Sequence, residues 1–324
     1  MAHSKGNSPS NVDYNTYIGT TGVTSAYASS VAATQKVAAL LGVGFGDRGY
    51  GQSTPLLTAV SQGDQIKAVD WLNLSTAIAN IATQQGTSTS LLPPSSEFVT
   101  GKTIVAEVIA TTPYDFPTII ANIDTNRNIA AAGGMSLTSN ALTITRATTW
   151  GSGSTGITCT ASATFSSEDS ARYFFNSGGA LNLILAHPSV ATTQDSNWNT
   201  ILSALGTVSF SAHNTTRSGS GGTPATVGYY ELTTTPQTIL NGANIGTGSY
   251  TANGLLIEAW ATAIPGVNGG KGTVINLRIT LTDGHINAFS DVVASGTNCV
   301  FGFKKATVNV AGIATPAIAQ VTSF

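Results

Sequence analysis

The sequence predicts a mainly β protein with a helical N-terminal region, its body an antiparallel β-sandwich interrupted by short helices. Three observations predict it. From about Leu142 onward, apolar residues recur with a period of two in many short runs. Between the runs lie Gly, Asn and Thr, residues of tight turns. Ahead of them, residues 64–86 place apolar side chains at helical spacing. The expected organisation is a helical assembly region with a Gly-rich loop at 1–94, a mixed connecting region at 95–141 and the sandwich at 142–324.

In chain order, "AYASSVAATQKVAALLG" is rich in alanine and stops at Gly42, as a helix would. In "GDQIKAVDWLNLSTAIANIATQQG", Ile66, Val69, Leu74, Ile78 and Ile81 follow a largely helical spacing that Asn73 interrupts. Asp64 is the expected N-cap and Gly86 the expected stop. Two antiparallel helices bury too little alone, so this pair is expected to pack against a second copy or the next domain. "TSTSLLPPSSEF" reads as a linker, because Pro93-Pro94 cannot continue a helix. "EFVTGKTIVAEVIA" fits strand or helix, and "PYDFPTIIANIDTNRN" holds a short helix.

In "GITCTASATF" one face carries Ile157, Cys159, Ala161, Ala163 and Phe165. "TVINLRITLTDG" alternates likewise through Ile275, Leu277, Ile279 and Leu281. Further expected strands are "ALNLILAH", "TVSFSAH", "VGYYELT", "PQTILNG", "YTANGLLIEAWATAI", "CVFGFKKATVNV" and "PAIAQVTSF". A helix at "DSNWNTILSALG" interrupts them.

Charged residues make up 9% of the chain, against about 25% in ordinary soluble proteins, yet hydrophobic residues reach 41%. With a net charge of −2, such a chain folds but repels its own kind weakly, which suits a subunit of an assembly. The 13 basic residues form no stripe, so nucleic acid is not an expected partner. The first residues lack an apolar core, so Sec-type export is not indicated. The longest apolar run, "GLLIEAWATAI", is short and broken by Glu258, so membrane insertion is not expected. Cys159 and Cys299 read as two buried thiols in a reducing compartment.

The motifs that resemble chemistry are incomplete. "GFGDRG" (Gly44 to Gly49) matches G-x-G-x-x-G, but a helix precedes it where a nucleotide site needs a strand, so it reads as a turn. "TGKT" (Thr100 to Thr103) resembles the end of a P-loop whose first glycine would fall at Ser96, so it too reads as a turn. His3, His187, His213 and His285 are isolated; only "TDGH" sets a carboxylate, Asp283, beside one, and that is a good turn. "GSGSTG" is half a nucleophile elbow, with Ser152 where a glycine is required. Enzymatic activity, cofactors and metals are therefore not expected. Tyr229, Tyr230, Trp198 and Trp260 could stack on sugars or lie in the core.

The stretch "TFSSEDSARYFFNSGGALNL" gathers acid, arginine and aromatics. Ser166 and Asp169 fit a capping box, and Glu168 and Asp169 sit where a helix dipole favours acids. Arg172 is expected to pair with Glu168 for a few tenths of a kcal/mol. Asn176 to Gly179 stop the helix. Tyr173, Phe174 and Phe175 exceed one buried face, so one is expected to face a neighbour.

Taken in order, Gly49-Tyr50-Gly51-Gln52, Trp71-Leu72-Asn73-Leu74, Gln85-Gly86, Asn126-Arg127, "TFSS…ARYFFNSGG", Trp198 to Ile201 and Tyr230-Glu231-Leu232-Thr233-Thr234 resemble a family of virion structural proteins of tailed phages, especially those infecting cyanobacteria. The resemblance covers residues 45–240 in order and spacing, and "ARYFFNSGG" is its most specific part. It implies a tail, baseplate or fibre-like component assembled in the host cytoplasm into the virion, without catalytic residues to carry over. The implied partners are copies of itself, with a trimer favoured, other virion proteins and a host surface glycan. A capsid decoration or neck protein and a lectin-like receptor-binding module are the alternatives. Candidate assembly or surface contacts are Tyr50, Gln52, Trp71, Phe174, Tyr229 and Tyr230.

Overall fold

The computed structural model describes residues 11–18, 36–41, 49–51, 57–62, 64–102, 104, 113–151, 156–188, 192–265, 272–285, 292–307 and 313–324. Their helices are α1 (Asn11–Ile18), α2 (Lys36–Leu41), α3 (Ala68–Gln85), α4 (Phe116–Thr125), α5 (Glu168–Asn176) and α6 (Thr193–Leu205). Their strands are β1 (Met135–Thr145), β2 (Gly156–Thr164), β3 (Ala180–Ala186), β4 (Thr207–Phe210), β5 (Thr215–Arg217), β6 (Thr223–Pro224), β7 (Gln237–Gly242), β8 (Gly254–Ala261), β9 (Val274–Thr282), β10 (Asn298–Ala306) and β11 (Ala317–Thr322). The chain divides into two compact units. One takes Met1–Met135, Arg172–Gly178 and Ala306–Ile313; the other takes Ser136–Ala171, Gly179–Lys305 and Ala314–Phe324.

The first unit is helical. In α3 the expected spacing buries Trp71, Leu74, Ile78 and Ile81, while Val69 in its first turn stays 51% exposed. Asp64 is not the cap. Lys67 takes that position in extended conformation, and Asp70 Oδ2 accepts its N–H at 2.7 Å, so the acid one turn in does the work assigned to Asp64. Gly86 ends the helix as expected: at φ 74° its N–H returns to Thr83, and the Thr87 N–H reaches the Ala82 carbonyl at 2.9 Å. Asp115 caps α4 by accepting the Thr118 N–H at 2.9 Å, and Phe116, Ile119, Ile120 and Ile123 are buried.

The sequence gives no warning of α1, whose buried Tyr14, Tyr17 and Ile18 are separated by Asn and Thr. Its tyrosines close an aromatic cluster on Trp71: Tyr14 lies 5.4 Å and Phe116 5.5 Å from that indole, both edge-on. Burial, with the Asp70 carboxylate nearby, pushes the Tyr14 phenol up to about 12. Of the first expected helix, Lys36–Leu41 is seen as α2, and the rest lies outside the described residues. The expected linker is part of the packing: Pro93 is buried, Ser95–Glu97 forms a short 3₁₀ turn, and the Asp115 N–H donates to Leu91 at 3.0 Å.

The second unit is the β-sandwich. One sheet has the order β1-β10-β3-β4-β5 and the other β11-β2-β9-β8-β7-β6. Pairing is antiparallel, with Cys159 opposite Ile279 in one sheet and Cys299 opposite Leu185 in the other. The alternation read from sequence sets the inner faces: Ile157, Cys159, Ala161 and Ala163 of β2 are buried, as are Ile275, Leu277, Ile279 and Leu281 of β9. "VGYYELT" is not a strand. Tyr229–Glu231 makes a 3₁₀ turn because the Tyr229 N–H donates to Ser211 at 2.9 Å and Glu231 Oε2 accepts the Gly228 N–H at 2.9 Å. Helix α6 forms as expected and packs on β3.

In α5 the cap is Ser167 rather than Ser166: its Oγ accepts the Ser170 N–H at 3.0 Å. The stop is Gly178, at φ 85°, while Asn176 stays out of the left-handed region. Arg172 is only 1% exposed, so the small value of a solvated ion pair does not apply to it.

Candidate functional site

Within the first unit, segments far apart in sequence converge on Tyr50. Gly49 and Gly51 flank it at φ 88° and 72°, a left-handed backbone that favours glycine on both sides. A Cβ on Gly51 would also come within 2.7 Å of the Tyr173 ring. The Tyr50 hydroxyl donates to the Arg127 carbonyl and accepts from Gln85 Nε2 at 2.9 Å. Gln85 Nε2 also donates to the Ile123 carbonyl at 2.8 Å, Thr87 Oγ1 donates to Gln85 Oε1 at 3.0 Å, and Asn126 Nδ2 donates to that hydroxyl at 3.0 Å. Asn176 Nδ2 completes the knot by donating to the Gly49 carbonyl at 3.1 Å. Each element gives a polar group that the others satisfy, so the segments are mutually dependent.

This places the candidate contacts differently from expectation. Tyr50, Trp71, Phe174 and Tyr229 are each 2% exposed or less, so their aromatic surface packs inside the chain. Gln52 lies outside the described residues. Tyr230 is half-buried: its ring stacks on His213 at 5.1 Å and meets Tyr229 at 5.0 Å, while His213 Nδ1 lies 2.7 Å from Glu231. Of the three aromatics in α5, Phe174 and Phe175 are buried edge to face at 5.0 Å, and Tyr173 is the partly exposed one, laid over Gly51. Of the sugar-stacking candidates, Trp198 is in the core and Trp260 is half-buried beneath the Arg278 guanidinium at 5.5 Å.

Replacing Tyr50 by phenylalanine is expected to destabilise the first unit by about 1–3 kcal/mol, because the part-buried Arg127 carbonyl and the buried Gln85 amide lose a shared partner. Urea unfolding followed by circular dichroism checks this, and an unchanged midpoint would show the hydroxyl to be dispensable.

In the second unit, the histidine read as isolated is not. His187 Nε2 lies 3.1 Å from Asp195 Oδ1, and its Nδ1 lies 2.9 Å from Thr297 Oγ1. Trp150 Nε1 donates to that hydroxyl at 3.1 Å, and the Ala294 N–H donates to Asp195 Oδ1 at 2.8 Å. The pattern is satisfied with His187 neutral, its Nε2–H donating to the carboxylate and Nδ1 accepting from Thr297. Burial pushes the Asp195 carboxyl up, but the Ala294 N–H, Thr192 and His187 outweigh it and hold the group below its ordinary value. Hydroxyl, imidazole and carboxylate follow the order of a nucleophilic triad. Thr297 is 0% exposed and its oxygen accepts the indole N–H of Trp150, so this arrangement serves the fold as a buried strut.

The sequence carries half of that signal. "TTQD" is a capping box, and in the structure Thr192 Oγ1 accepts the Asp195 N–H at 3.1 Å. The inward oxygen of Asp195 meets His187, eight residues away, and the Ala294 N–H, 99 residues away, and the second of these partners is beyond any local pattern.

Asp283 of "TDGH" accepts the His285 N–H at 3.1 Å and Gln194 Nε2 at 2.7 Å, a turn bonded to α6. Among the described residues no group of three His, Cys, Asp or Glu side chains could hold a metal. Gly101 of "TGKT" has φ 90° in a turn closed by Lys102 N–H to Val99 at 3.2 Å, beside a pocket of about 250 Å³ that Trp71, Lys67 and Lys102 help to line. Lys102 pairs with Glu97 at 3.3 Å. "GFGDRG" lies outside the described residues except for Gly49, and "GSGSTG" except for Gly151 and Gly156. No helix among the described residues is long and apolar enough to cross a membrane. Comparison with protein-family models, curated proteins and solved structures found no match for this chain.

Proposed function

We propose that this chain is a structural subunit of a tailed-phage virion, a tail- or baseplate-attached or fibre-like component that displays its β-sandwich and assembles with copies of itself. The observation that carries the reading is that most segments of the resemblance meet at one place. Gly49-Tyr50-Gly51, Gln85-Gly86, Asn126-Arg127 and the Arg172–Gly178 part of "ARYFFNSGG" exchange hydrogen bonds or ring contacts around Tyr50. This convergence supports the reading, because one folding knot around Tyr50 gives these motifs a physical reason to keep their order and spacing.

The ends of the sheets add support for assembly. β1 and β11 end their sheets and carry only uncharged residues, with Leu137 63% and Val321 55% exposed. An edge strand without charge invites another strand. Immunogold labelling of purified particles tests the reading: label at the tail or baseplate is expected, and label on capsid faces would replace it with a decoration role. A lectin-like module is the second reading, favoured by the half-buried Tyr230 and His213 stack. A glycan array without signal counts against it.

A further inference from the structure

We propose that Cys159 and Cys299 form an oxidisable pair that closes a covalent bond between the two sheets of the sandwich. They are the only 2 cysteines of the chain, and both are free thiols. Cys159 sits in β2, opposite Ile279 and inside the six-stranded sheet; Cys299 sits in β10, opposite Leu185 and inside the five-stranded one. Each is 0% exposed, on the inner face of its sheet, and the Cys299 side chain is hydrogen-bonded to that of Cys159. Two thiols that could lie anywhere in the chain instead meet face to face across the core. After Cys159 the inner face of β2 carries the small residues Ala161 and Ala163, whereas β10 follows Cys299 with Phe301 and Phe303.

The chemistry balances with a low-molecular-weight disulfide, such as oxidised glutathione, as the oxidant. One cysteine loses its proton and attacks the external disulfide, giving a mixed disulfide and releasing one small thiol. The second cysteine loses its proton and attacks the protein sulfur of that mixed disulfide, expelling the second small thiol and leaving the 159–299 bond. Two protein thiols are oxidised and one external disulfide is reduced to two thiols. Burial, and then contact between the two thiols, raise the Cys299 thiol well above its ordinary value, so the folded pair reacts slowly at neutral pH and the exchange runs through opened molecules. The bond closes a long loop, from position 159 to 299, so its effect on the unfolded chain is large.

The test is equilibrium refolding of the full chain from denaturant in a buffer of reduced and oxidised glutathione, followed by acid trapping, alkylation and peptide mapping. The expected result is a peptide pair linked through 159 and 299, and a melting temperature raised by roughly 10 °C that dithiothreitol reverses. The variant carrying Cys159→Ala and Cys299→Ala should refold with no dependence on the oxidant. Refolded chain in which both thiols remain free, carry glutathione or link two molecules overturns the proposal. So does a temperature shift that persists in the double variant.

Discussion

Replacing Asp195 by alanine is expected to remove about 1–3 kcal/mol of stability for each donor it strands, because it leaves His187 and the Ala294 N–H buried without their common acceptor. The asparagine variant separates charge from shape. The carboxyl is held below its ordinary value in the folded chain, so its contribution is fully present above the unfolded value of about 3.9 and is lost as pH falls through the folded value. The stability gap between the parent and Asp195→Asn should therefore be widest near neutrality and close on acidification. Urea titrations at pH 7 and on descent below pH 4 measure it, and a gap that stays constant would show that the folded carboxyl is not held as an anion.

The second large effect is expected at Trp71. Its indole is 2% exposed, with Tyr14, Tyr17 and Phe116 around it at 5.4–6.1 Å. Trp71→Ala should cost about 3–5 kcal/mol, through the lost transfer free energy and the cavity left between three rings. Trp71→Phe should cost less than half of that, since a ring still meets the edges around it. Thermal unfolding monitored by near-ultraviolet circular dichroism reports both. An alanine variant that melts with the parent would mean that this cluster contributes nothing to the first unit.

What was legible in the sequence follows the range of the forces involved. Strands β2, β9 and β8 alternate because their neighbours in the sheet bury one face, and that demand is written on every second residue. Helix α3 was legible for the same reason at a different period, and Gly86 because its conformation excludes most other residues. The misreadings arise where one particular hydrogen-bond partner, near or distant, decides. Lys67 displaced Asp64 as cap because Asp70 supplies the acceptor, and Tyr229–Glu231 left the strand pattern because Ser211 and Ala212 hold it in a turn. The candidate contacts were chosen for type, and large aromatics are the residues that an interior claims first. The Tyr50 knot and the His187 strut include contacts between residues separated by up to 127 and 147 positions, which no local pattern reports.

The helical unit is assembled from three stretches, the last of them Ala306–Ile313. A ribosome working from the N-terminus therefore delivers the 1–135 stretch well before Arg172–Gly178, the source of the Tyr173 and Asn176 contacts to Gly51 and Gly49, has been made. The 1–135 stretch is thus made well before the segments that finish it. A nascent chain of this kind carries its unfinished helices until those later segments follow, and this exposure gives cellular chaperones a period in which to hold it.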